Sequence, residues 1–242
     1  MATHDDRLTE AIRQMATFSV VDDPMPAILQ RIAALANDTV EPAAMVGLTM
    51  SVNGRLATPV FTDEDAPEID SAQYATGVGP CLDAFRTGAV CVVPSTRLDT
   101  TWPPFSAACV EHGILSTLSI PVMAKAEKLG ALNFYAQAER AFGEEEETLA
   151  RAFALQAAVV ISNAQAYWSA RALGDQLTQA LESRVVIEQA KGVLMASGLT
   201  SEAAFAALRN TSQRRNRKLR DIAAEVIAEA ECRARGTKES GA

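Results

Sequence analysis

Residues 183–226 read SRVVIEQAKGVLMASGLTSEAAFAALRNTSQRRNRKLRDIAAEV, and the spacing of their apolar positions predicts three consecutive helices. The first ends near Met195, because Ala196-Ser197-Gly198 supplies a glycine able to take the left-handed position past a helix end. Thr200 is placed to cap the second, with Glu202 favourable near its positive N-terminus. Asn216 is expected to cap the third. Val186 or Ile187, Ala190, Val193 and Leu194 on the first helix, Phe205 and Leu208 on the second, and Leu219, Ile222, Ala223 and Val226 on the third can close one small core. Below about 60 residues such a unit is marginal, so it is expected to lean on the helix that precedes it.

The same stretch carries an unusual charge. Between Arg184 and Asp221 eight basic residues stand against three acidic ones, a net of +5, whereas the chain as a whole carries −8, which leaves −13 for the remainder. A uniformly acidic protein repels phosphate; one basic face on an acidic body gives an oriented footprint for nucleic acid. Lys191, Arg214, Arg215, Arg217, Lys218 and Arg220 can neutralise phosphates, which gives affinity without sequence information. Gln189, Ser212, Gln213 and Asn216 are donors and acceptors able to reach unstacked loop bases. Between Arg184 and Ala230 the only aromatic is Phe205, a core position, so recognition by base stacking on aromatic rings is not expected.

Working outward, residues 144–195 read as helix almost without interruption. Val160, Ala164, Tyr167, Ala170, Leu173, Leu177 and Leu181 step by three or four residues and draw an apolar stripe. Gly174 is the one breaker, where the helix is expected to bend or divide. A stripe of this length is buried either by folding back on the preceding module or by pairing with its copy in a second chain as a coiled coil.

Upstream the period changes. Residues 5–20 and 24–36 predict two helices, the second capped by Asp23 with Pro24 in its first turn. Strands are predicted at Met45–Val52 and Arg55–Phe61 around an Asn53-Gly54 hairpin turn, then at 89–93, 115–123 and 129–135, with an acidic loop at 62–71. The fold class is therefore α+β: an antiparallel sheet module with flanking helices, a long connecting helix and a three-helix C-terminal domain. The expected divisions are an N-terminal helix over 1–23, the sheet module over 24–164, a linker helix over 165–181, the three-helix domain over 182–235 and a disordered tail over 236–242.

Composition narrows the function classes. With 48% hydrophobic and 21% charged residues the chain reads as an ordinary soluble protein, and no apolar run approaches the roughly 20 residues that span a bilayer, so a cytoplasmic location with no membrane partner is expected. Cys81, Cys91, Cys109 and Cys232 lack metal-ligand or disulfide spacing and are expected as buried reduced thiols; neither a metal nor a cofactor is expected. Cys81 opens an apparent helix, where a dipole could activate it, but its apolar neighbours fit burial equally well. The Gly77-Val78-Gly79-Pro80 run lacks the lysine and hydroxyl of a phosphate loop. There is no Gly-x-Ser-x-Gly or paired histidine set, and an enzyme is not expected.

Two resemblances follow from ordered motifs. Glu188-Gln189-Ala190-Lys191-Gly192-Val193-Leu194-Met195, then Ala204-Phe205 with Leu208-Arg209, then Ser212, Asn216, Lys218-Leu219 and Ala223, resemble the ANTAR domain of bacterial RNA-binding transcription antiterminators. The resemblance implies that a pair of these domains, in a homodimer, binds RNA with two stem-loops and holds it against a competing terminator hairpin. Gly77-Val78-Gly79-Pro80-Cys81-Leu82-Asp83-Ala84-Phe85, Trp102-Pro103-Pro104-Phe105, Ser116, Ser119-Ile120-Pro121-Val122 and Leu129-Gly130-Ala131-Leu132-Asn133-Phe134-Tyr135 resemble a GAF domain. That resemblance implies a central antiparallel sheet and an unidentified small-molecule ligand. The implied RNA contacts are Gln189, Lys191, Ser212, Arg214, Arg215, Asn216, Arg217, Lys218 and Arg220. The alternative is a GAF sensor whose C-terminal helices bind a protein partner or DNA.

Overall fold

A computed structural model describes residues 4–52, 55–63 and 66–239, and the chain divides into two compact units, 1–168 and 169–242. The first unit opens with helices α1 (His4–Met15) and α2 (Met25–Thr39). Pro24, not Asp23, stands at the entrance of α2, and no side chain caps it, because the Asp23 carboxylate is drawn 2.8 Å from the guanidinium of Arg31. Strands β1 (Met45–Val52) and β2 (Arg55–Phe61) follow; the Asn53-Gly54 turn expected between them lies outside the described residues.

Where a loop was expected over 62–71, helix α3 (Ala66–Thr76) begins. Its buried face is Ala66, Ile69, Asp70 and Gln73, a helical period that half-polar composition conceals. Helix α4 (Pro80–Thr87), strand β3 (Cys91–Val93), helix α5 (Pro103–Glu111) and strands β4 (Ser116–Ala124) and β5 (Glu127–Ala136) complete the sheet, ordered β2-β1-β5-β4-β3 with antiparallel pairing throughout.

Register separates the sheet into two chemically different faces. Leu48 and Ile120 both pair with Leu132, and Val46 and Leu118 both pair with Phe134, so these rows share one face. There they pack with Ile28 and Ile32 of α2 and with Phe153, Ala157 and Ile161 from helix α6 (Glu144–Ala196). Truncating a fully buried ring such as Phe153 to alanine costs about 3–5 kcal/mol in cores of this kind. The intervening rows, Ser119 opposite Asn133 and Thr117 opposite Tyr135, turn polar groups to the other face, toward α3, α4 and α5. At Gly130 a Cβ would come within 1.9 Å of the Thr49 carbonyl oxygen, so only glycine lets β1 and β5 approach there.

In the second unit, the last part of α6 joins helices α7 (Ser201–Arg215) and α8 (Leu219–Glu239). α6 is continuous helix through Gly174, so it does not divide there, although a glycine inside a helix costs about 1 kcal/mol relative to alanine. Ala190, Leu208, Ile222 and Ala223 form the small buried core, bordered by Val186, Ile187, Leu194, Leu219 and Val226, whereas Phe205, expected in that core from its spacing to Leu208, is 40% exposed. α8 continues through Glu239 where a tail was expected from 236; residues 240–242 lie outside the described residues.

Candidate functional site

The basic residues converge on the short turn between α7 and α8. Thr200 caps α7 as expected, its hydroxyl accepting from the Ala203 N–H at 3.2 Å. Asn216 does not open α8. It closes α7 instead, in the left-handed conformation (φ 48°), with its N–H donating to the carbonyls of Ser212 and Gln213. Asparagine is among the few residues with a Cβ that visit that region readily, so the side chain expected to cap a start serves an end. The Ser212 hydroxyl donates to the Arg217 carbonyl at 2.5 Å and draws the turn shut. Arg214, Arg215, Arg217, Lys218 and Arg220 are thereby carried on seven consecutive residues.

Several of these cations already have internal partners. Arg215 lies 3.0 Å from Glu225 on α8, and Arg217 pairs with the other oxygen of the same carboxylate. Arg220 stands 3.5 Å from Asp221, and Lys191 on α6 is held 2.9 Å from Glu188 with little of its side chain exposed. Arg214 makes only a long contact, 3.5 Å, to the Thr211 hydroxyl among the described residues. Lys218 makes no side-chain hydrogen bond or ion pair among the described residues. Gln189 is exposed on α6.

A groove of about 400 Å³ runs beside the turn, lined by Gln176, Gln179, Ala180, Ser183 and Ile187 of α6 and by Lys218, Leu219 and Arg220. Its volume falls in the range of small-molecule sites, roughly 300–1,000 Å³. At about 100° per helical residue, Gln176 and Gln179 lie within roughly 40° of Ser183, whereas Gln189 lies roughly 120° round the helix. The structure thus brings Gln176, Gln179 and Ser183 to the basic turn, residues that sequence reasoning did not single out, and leaves Gln189 on another face. Only their spacing of three and four on one helix face could have signalled them.

The first unit holds a second constellation, buried on the polar side of the sheet. Asp70 accepts from the Tyr135 hydroxyl (2.5 Å), the Thr58 hydroxyl (2.5 Å) and the Gln73 amide (3.0 Å). Burial pushes its carboxyl above the ordinary range, and these three hydrogen bonds only partly offset that. Gln73 in turn accepts from the Cys81 N–H at 3.0 Å, capping the start of α4 from a distance. A Cβ at Gly79 would overlap the Gln73 side chain at 2.2 Å, so the glycine makes room for this amide.

Thr49 accepts from the Cys81 thiol (3.1 Å) and the Asn133 amide (3.0 Å). Burial, with nearby Asp70, pushes the Cys81 thiol up to about 12, so the cysteine is inert rather than activated by its helix start. Among the described residues, Asn133 Oδ1 and Thr117 Oγ1 are buried with no hydrogen-bond partner. All four cysteines are free, as expected, though Cys232 is exposed and Cys91 half-buried. No group of acidic, histidine or cysteine side chains among the described residues could hold a metal ion, and no helix is long and apolar enough to cross a membrane.

An antiparallel sheet with one apolar and one polar buried face, followed by a trihelical domain with a basic turn, is the architecture of a sensor joined to an output module. The GAF domain family matches residues 22–162, more than half of the chain, and the ANTAR domain family matches residues 175–227; the chain belongs to the GAF family and carries an ANTAR domain behind it. Among solved structures it is similar to a free methionine-R-sulfoxide reductase from Neisseria meningitidis in complex with its substrate, at 15% identity over 69% of this chain and 96% of that one, TM-score 0.53. It is similar also to fRMsr of Staphylococcus aureus in its reduced form (19%, 66% and 99%, TM-score 0.52). A third is the GAF domain of a phosphoenolpyruvate-protein phosphotransferase from Coxiella burnetii (19%, 69% and 99%, TM-score 0.51). At these identities the likeness is one of fold. No curated protein matches the sequence.

Proposed function

We propose that this chain is a signal-responsive RNA-binding regulator that acts by transcription antitermination. In this reading a pair of ANTAR domains in a homodimer grips two stem-loops in a transcript, under control of a small molecule sensed by the GAF domain. The observation that carries it is the gathering of Arg214, Arg215, Arg217, Lys218 and Arg220 on the α7–α8 turn of an otherwise acidic chain, within a segment matched by the ANTAR family. Charge of that density is suited to phosphate, and polar groups beside it are suited to unstacked bases.

Pairing is supported by the outer surface of α6. Leu173, Leu177, Leu181 and Val185 are 57%, 58%, 64% and 56% exposed, four large apolar side chains at helical spacing that a second copy of the helix would cover. Binding rather than catalysis is supported by the inertness of the buried Cys81 thiol. The signal passes along α6, which is continuous from Phe153 and Ile161 in the first core to Ala190 in the second.

Mass measurement of the full chain in solution, with and without a transcript bearing two stem-loops, tests the reading. The expected complex holds two chains per RNA, and substituting Arg214, Arg215, Arg217 and Lys218 with alanine weakens it and flattens its salt dependence. A transcript left unbound at low ionic strength would sink the assignment.

A further inference from the structure

We infer that the groove between α6 and the α7–α8 turn is the pocket for one unstacked RNA nucleotide, with Gln176 and Gln179 contacting the base and Lys218 and Arg220 its flanking phosphates. This rests on the RNA-binding reading and assigns the base-reading function to residues outside the basic segment.

Three features of the groove converge on that occupant. Its lining holds two cations, Lys218 and Arg220, and no acidic side chain, with Asp221 3.5 Å from Arg220 just outside it. Its floor, Ala180, Ile187 and Leu219, is aliphatic and suits the face of a base. Its α6 wall presents the amides of Gln176 and Gln179, exposed and making no side-chain hydrogen bond among the described residues. Each amide offers donors and an acceptor, the complement of a base edge that has lost its pairing partner. Lys218 is likewise uncommitted, whereas Arg215 and Arg217 are engaged by Glu225. The groove therefore joins a cation that makes no ion pair among the described residues to exposed amides within one open groove of about 400 Å³.

The geometry of α6 keeps this pocket open in a dimer. Leu177 and Leu181 stand roughly 120° and 160° round the helix from Ser183, so a partner helix seated on the leucines leaves the glutamines uncovered. A protein ligand on the same groove would not require bases, and this separates the two outcomes.

The test compares the unaltered full chain with Gln176→Ala/Gln179→Ala and with Lys218→Ala, each titrated with a two-stem-loop RNA and with the same stems lacking loop bases (abasic loops). The expected result is a loss of about tenfold or more for the glutamine variant on intact loops, none on abasic loops, and an unchanged salt slope; Lys218→Ala reduces the slope by about one on both RNAs. Circular dichroism reports whether each variant keeps its helices, and a photo-crosslinking residue placed at 179 reports the contact directly, expected at a loop base. Equal affinities of the glutamine variant and the unaltered chain, or crosslinks confined to stems, overturn the pocket while leaving RNA binding in place. Failure of the unaltered chain to bind either RNA overturns the RNA reading and the pocket with it.

Discussion

The Tyr135 hydroxyl donates a 2.5 Å hydrogen bond to Asp70, tying the central strand β5 to helix α3 through a carboxyl group that water does not reach. Two further donors, Thr58 and Gln73, meet the same carboxyl, so its loss takes a partner from three polar groups at once. Asp70→Ala is therefore expected to destabilise the GAF domain by about 3 kcal/mol or more, and Tyr135→Phe, which removes one donor, by about 1–3 kcal/mol. Urea unfolding of the full chain checks both. Equal, small losses would mean that the network contributes little.

The raised Asp70 carboxyl has a pH consequence with a definite sign. The folded chain holds this proton at pH values where the unfolded chain, with an ordinary carboxyl near 3.9, has released it. The contribution is fully present below about pH 4 and is lost as pH rises toward the folded value, at a slope of at most about 1.4 kcal/mol per unit. Unfolding measured from pH 4 to 7 should show the unaltered chain losing ground steadily against Asp70→Asn. A constant difference between the two would show that Asp70 is ionised in the fold.

Thiol chemistry should discriminate the cysteines sharply. With its thiol pushed up to about 12, Cys81 carries roughly one part in ten thousand thiolate at pH 8, and it is buried besides. Alkylation of the folded chain, read by peptide mass, should label exposed Cys232 first and leave Cys81 and Cys109 untouched until denaturant is added. Early labelling of Cys81 would mean that the polar side of the sheet opens in solution.

Glu225 restrains the basic turn, since Arg215 and Arg217 share its carboxylate. Both ion pairs are half exposed, so their effect on stability is small. Their effect on RNA should be larger: Glu225→Gln frees two guanidinium groups, raises affinity several-fold and steepens the salt dependence by about one to two. Filter binding across a salt series measures this. Weaker binding would mean that the carboxylate positions the arginines rather than competing for them.

Legibility from sequence differed between the two domains for physical reasons. A β-rich run ending at Asn53-Gly54 exposed the first two strands, and Thr200 before Ser201 marked a helix start that the structure keeps. α3 escaped because Asp70 and Gln73 occupy buried positions where apolar side chains would have betrayed the period. The network around Asp70 was illegible because its members come from β1, β2, α3, α4 and β5, and no local spacing links them. Asn216 reads as a cap in the sequence, but asparagine suits both an N-cap and a left-handed end, and the fold uses it to close α7. Gln176 and Gln179 carried no signal alone; only the fold sets them opposite Lys218.

The sheet's two unlike faces also constrain how such a chain can diverge. On the side of Leu48, Ile120 and Phe134, aliphatic groups of similar volume exchange one at a time with modest loss. Beneath α3, Gln73 is bonded to Asp70 and Asn133 to Thr49, so a lone replacement takes a hydrogen-bond partner from a buried neighbour and each pair must drift in concert. Sensors descended from this one would diverge gradually along the first face and in steps along the second.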